Sequence, residues 1–240
     1  MNAVRLLAAL GALALAAPAL AAEATPPPPA GKMADPEVAA AVKKMQAFYE
    51  RTKGFDTRFE QRFTAAAGSR LGGGVAGGRI RFRKPEAGTG PLMRWDYDDG
   101  RILLLVKDTS WTYDPDTKQA TEYRVDPAQL SAAVTFLWGQ GRIADEFQIS
   151  RANRTDLGEG MALALIPKQP STAFERVFLV VDPDTGIVRQ SVVVQPNGAE
   201  NRIRFLDPKV DAKVDAAAFD PAQAFPAGTT RTKAAVPGGK

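Results

Sequence analysis

The 240 residues contain no cysteine and no histidine. Without cysteine the chain forms no disulfide, whatever its compartment, and it offers no thiol for a lipid anchor. Without histidine the Ser-His-Asp and Cys-His arrangements are out of reach, and with both absent so are the usual zinc and haem ligand sets. Catalysis would fall to carboxylates, lysine, serine or tyrosine. Asp98-Asp99 is the most conspicuous acidic pair, yet neighbouring residues of a strand point to opposite faces, and Gly100 behind them marks a turn. The residues therefore argue against an enzyme and suggest neither a metal nor a cofactor. Excess charge is also small: 31 basic against 27 acidic residues leave a formal +4. The tryptophans have apolar rather than basic neighbours, which speaks against nucleic acid as a partner.

Only one long apolar run is present. Leu6 to Leu20 is an Ala/Leu stretch behind Arg5, followed by an A-x-A site at Ala19-Leu20-Ala21. It is too short and too alanine-rich for a membrane span and reads as a signal peptide over 1–22, cleaved near Ala21. An exported chain is expected. Residues 23–34 carry four consecutive prolines and form a linker, 35–226 hold enough apolar residues for one core, and 227–240 are a loose, mildly basic tail.

Within the domain, Asp35-Pro36 is a helix cap followed by a first-turn proline. Val38, Val42, Met45 and Phe48 then recur at helical spacing until Lys53-Gly54. Phe55, Thr57, Phe59, Gln61 and Phe63 share one face of a strand. The glycine-rich stretch 68–78 lacks the Gly-Lys-Ser/Thr ending of a phosphate loop and reads as a hairpin loop. From Gly78 to Asp126 the chain is a meander. Ile80 and Phe82 alternate with arginines, and Met93, Trp95 and Tyr97 alternate with Leu92, Arg94 and Asp96. Asp98-Asp99-Gly100 then turns into the apolar run Ile102 to Val106, and Lys107-Asp108-Thr109 turns again into Trp111-Thr112-Tyr113.

Trp95/Tyr97 and Trp111/Tyr113 are expected to project to one side, making a large apolar face that is either ordinary core or a ligand-holding concavity. Asp126-Pro127 repeats the cap, with Leu130, Val134, Leu137 and Trp138 as the stripe of a second helix. Five further strands follow between residues 146 and 206. The count is about eleven strands and two helices, a mainly β (α+β) fold with an antiparallel sheet and its helices against one face.

The run GFDTRFEQRF (54–63), then GRIRFRKP (78–85), RWDYDDGRILLLVKDTSWTYDP (94–115) and VDAAAFDP (214–221), in that order and spacing, resembles the periplasmic outer-membrane lipoprotein carrier family, LolA. The resemblance implies an incomplete antiparallel β-barrel whose open, apolar side is covered by helices. It implies a monomeric periplasmic carrier that takes acylated lipoproteins from an inner-membrane ABC-type exporter and passes them to an outer-membrane acceptor. A related half-barrel that binds lipid or senses envelope stress without transfer is the alternative.

On this reading Phe55, Phe59, Phe63, Ile80, Phe82, Met93, Trp95, Tyr97, Leu104 and Trp111 line the acyl-chain cavity, and Leu130, Val134 and Leu137 face it from a lid. The family carries an arginine before the proline of its Arg-Pro element, as a latch for the closed lid. Here Lys84 holds that place behind Arg83, so these two are the candidate latch, and the segment 86–91 that follows is longer than is usual in the family.

Overall fold

The computed structural model describes residues 35–69, 73–84, 92–124 and 142–234. One helix, α1 (Pro36–Arg51), precedes β1 (Gly54–Thr64), β2 (Gly74–Arg83), β3 (Leu92–Tyr97), β4 (Ile102–Val106), β5 (Thr109–Asp114) and β6 (Gln119–Arg124). A single helical turn, Ile143–Glu146, leads to β7 (Phe147–Arg151), β8 (Met161–Pro167), β9 (Arg176–Val181), β10 (Val188–Val194) and β11 (Glu200–Val210). A 3-10 turn, Ala216–Phe219, and β12 (Thr230–Lys233) complete the order.

All twelve strands form one sheet, in the order β12-β6-β5-β4-β3-β2-β1-β11-β10-β9-β8-β7. Two meanders meet where β1 pairs antiparallel with β11, and the edges β12 and β7 do not join, so the sheet is open rather than a closed barrel. Buried Thr57 sits at the register shift of this central pair, its hydroxyl donating to the Leu206 carbonyl at 2.7 Å. Gly78 is required by close packing in the neighbouring strand. A Cβ there would lie 2.1 Å from the Asp96 carbonyl oxygen and 2.8 Å from the Phe59 ring.

The first helix forms as its sequence dictates. The Asp35 carboxylate accepts from the amides of Glu37 (2.9 Å) and Val38 (3.3 Å), and Pro36 occupies the first turn. Val38, Ala41, Val42, Met45, Phe48 and Tyr49 form its buried stripe. That stripe packs on Phe147, Leu163, Leu165, Val177, Leu179 and Val181, covering the inner face of β7 to β9. Polar ties hold it there. Arg151 of β7 bridges Asp35 (2.8 Å) and Glu37 (2.6 Å), Lys44 Nζ donates to the Pro183 carbonyl (2.6 Å), and the Tyr49 hydroxyl accepts from the Val188 amide (3.2 Å). Gly186 lets the β9–β10 turn approach, since a Cβ there would lie 2.7 Å from the Lys44 carbonyl oxygen.

Two expectations are corrected. The tail read as loose contains β12, which runs parallel to β6 with the Thr230 amide donating to the Lys118 carbonyl at 2.9 Å. Apolar alternation misses it because Thr-Arg-Thr-Lys has none; its threonines lie across from Gln119 and Thr121 instead. Part of the glycine-rich stretch, Gly74 to Gly78, is strand rather than loop.

Candidate functional site

The face of a strand on which a side chain emerges is fixed by the hairpin leading into it. Tyr97 and Arg101 flank the three-residue turn Asp98–Gly100, with Gly100 at φ +88°, and Trp95 pairs with Leu103. Next, Val106 pairs directly with Thr109 across a two-residue turn, Lys107-Asp108, and Leu104 pairs with Trp111. The second turn is one residue shorter than the sequence suggests, and a one-residue change reverses every side chain beyond it. Leu104 is already on the outer face, because Trp95 pairs with Leu103 and Leu104 with Arg94, and the short second turn places Trp111 and Tyr113 beside it there, contrary to expectation. They pack there with Ile102, Ala120, Phe219, Ala224 and Phe225 under the 3-10 turn and the segment after it.

The inner face assembles the other aromatic residues. Phe55, Phe59, Ile80, Phe82, Met93 and Trp95 form one buried cluster with Leu105 and Ile203, with Tyr97, Leu103 and Phe205 against it. The Phe59 ring meets Trp95 edge-on at 5.0 Å and Tyr97 at 5.3 Å, and the Arg101 guanidinium lies 4.6 Å over the Tyr97 ring. Burial pushes the Tyr97 hydroxyl up to about 12. Phe63, half-buried, continues the row at the end of β1, beside a depression of about 550 Å³ lined by Thr64, Ala65, Ala66 and Gly74 among others. Sequence reasoning sets Gln61 on this face but does not single out Leu103, Leu105, Ile203 and Phe205, nor buried Asn201 beside Gln61. The register supplies the signal that finds them. The lid residues Leu130, Val134 and Leu137 lie outside the described residues.

Lys84, one of the two latch candidates, ties β2 to the end of α1, and the lid that it would fasten lies outside the described residues. The Lys84 Nζ donates to the Glu50 carbonyl and its amide to the Lys53 carbonyl at 2.8 Å, so it holds the last turn of α1, where a cation also suits the helix dipole. Arg83 is half-buried at the end of β2.

The acidic pair is neutralised. Asp98 meets Arg58 at 3.0 Å and Asp99 meets Arg101 at 2.6 Å. Burial opposes ionisation of Asp99, but its hydrogen bond from Arg101 wins and holds the carboxyl below its usual value. Among the described residues no three acidic side chains gather as a metal site would need, and no helix is long and apolar enough to cross a membrane.

The chain that folds into this open sheet matches, over residues 50–222, the family of the outer membrane lipoprotein carrier protein LolA. The chain belongs to this family. Relatives include the outer-membrane lipoprotein carrier proteins of Azotobacter vinelandii, 26% identical over 75% of this chain and 82% of that protein, and of Nitrosomonas europaea, 30% identical over 66% and 73%. Among solved structures, an uncharacterized conserved protein from Thermus thermophilus is similar in fold, with a TM-score of 0.51, 12% identity, and coverage of 82% of this chain and 98% of that one. The LolA match runs from the last turn of α1 through the 3-10 turn, so it includes every inner-face residue named above.

Proposed function

We propose that the protein is a periplasmic lipoprotein carrier, shielding acyl chains against the inner face of β1 to β4 between an inner-membrane ABC-type exporter and an acceptor at the outer membrane. The observation that carries this reading is the inner-face cluster itself. Phe55, Phe59, Phe63, Ile80, Phe82, Met93, Trp95 and Tyr97 come from three adjacent strands on one side of an open sheet, in a chain of the carrier family.

The physical need is large. Each methylene kept from water is worth about 0.8 kcal/mol, so two or three fatty chains carry roughly 20 to 35 kcal/mol of exposure penalty across an aqueous gap. A carrier must cover that surface and also give it up. An open sheet suits both tasks, because its edges are not tied to each other. Electrons and protons need not move, which agrees with a chain that holds no histidine or cysteine.

The test is to isolate the mature protein from the periplasm of its own cells and identify bound molecules by mass spectrometry. Triacylated lipoproteins are expected in stoichiometric amounts. Recovery of the protein free of any acylated polypeptide, from cells whose exporter is active, would overturn the proposal.

A further inference from the structure

The inner face is graded in polarity along the strands. At one end Phe55, Phe82, Met93 and Leu105 stand directly across from one another on β1 to β4, and all four are apolar and buried. Toward the other end of β1 the same face carries Gln61, whose Nε2 donates to Asn201 Oδ1 on β11 at 2.9 Å. Both side chains are only 3% exposed. That bond leaves the Gln61 Oε1 acceptor and an Asn201 Nδ2 donor without a partner among the described residues, and the indole Nε1 of Trp95 is in the same position. The registered neighbours of the two amides, Ile203, Ala76, Val193 and Phe63, bring no side-chain polar group. Beside Phe63, a Cβ on Gly74 would meet nothing within 4 Å.

Buried amides left unpaired in this way are unfavourable compared with either a fully bonded pair or two apolar side chains of similar shape. We propose that Gln61 and Asn201 are the polar end of the acyl-binding face and hydrogen-bond the ester or amide linkage by which fatty chains are joined to the cargo. The inference rests on the carrier reading above. Asn201 Nδ2 donates to an ester carbonyl, and Gln61 Oε1 accepts from the N–H of an amide-linked chain. The chains themselves run toward Phe55, Phe82, Met93 and Leu105. Six residues of strand separate Gln61 from Phe55, about 20 Å at the usual rise, close to the length of an extended palmitoyl chain.

The experiment measures binding of two probes to the full mature chain: a triacylated lipopeptide, and a pyrene-labelled alkane of similar length with no ester or amide. Wild type is expected to bind both. The double variant Gln61→Leu/Asn201→Leu, which strands neither amide, is expected to bind the lipopeptide about thirtyfold more weakly, as for two lost hydrogen bonds, and the alkane no less tightly. Equal lipopeptide affinity in variant and wild type, or an equal loss for both probes, overturns the linkage role and leaves the carrier reading standing. Failure of wild type to bind either probe overturns the carrier reading itself. Should the variant not fold, the infrared band of a carbon-13-labelled ester carbonyl in the wild-type complex decides. A shift to lower frequency is expected, and a band at its position in dry alkane overturns the role.

Discussion

Asp96 does more than alternate with aromatic neighbours. On the outer face it accepts from Arg94 at 2.8 Å and pairs with Arg81, while Arg94, itself 9% exposed, passes another bond to the Ala218 carbonyl at 3.0 Å. One carboxylate therefore fastens the 3-10 turn to β3. Burial works against its ionisation, but Arg94 and Arg81 outweigh burial and hold its carboxyl below the ordinary carboxylate value. A folded value below the unfolded one means that the stabilisation is complete above about pH 4 and is lost as pH falls through the folded value. With no histidine to titrate, urea midpoints should be flat from about pH 5 to 8 and fall below about pH 4. Asp96→Asn should lower stability near neutrality by about 2 kcal/mol, because it leaves Arg94 poorly paired, and should blunt the acid loss. An unchanged midpoint at neutral pH would show that the clamp is idle.

At the scale of single elements, the sequence is informative wherever the period alone decides the outcome. The cap at Asp35, the stripe of α1 and the alternation within β1, β2 and β3 all appear in the structure as the residues indicate. The placement of Trp111 is not legible, because the relation between strands depends on turn length, and Thr109 belongs to the strand rather than to the turn before it. In the run Ile102 to Val106, apolar on both sides, no alternation is available to correct the error. The two tryptophans offer a direct check. In single-tryptophan proteins, with the other two indoles replaced by phenylalanine, a lipopeptide carrying brominated acyl chains should quench Trp95 emission strongly and leave Trp111 nearly unchanged. Quenching of Trp111 alone would mean that fatty chains bind the outer face.

For the molecule as a whole, fold class and family are legible, and the period of β1 already sets Gln61 on the face of its phenylalanines; the burial of its partner Asn201 is not legible, since asparagine on a strand is ordinarily taken for its wet side. The long central pair β1–β11 joins both meanders, and the short strands β7 and β12 form the margins. Hydrogen exchange should follow that plan, with amides of β1 and β11 slowest and those of β7 and β12 several orders of magnitude faster. Protection of β12 equal to that of β1 would contradict the sheet order as the source of rigidity.

The helix α1 closes over only one half of the inner face, where Met45, Leu163, Leu165 and Val181 have no exposed surface. That half is spent on keeping the protein folded. Between β1 and β4, substitutions touch a different cluster. The two clusters meet at Phe205 on β11, which packs against both, so the seam that joins the meanders also joins the two halves of the core.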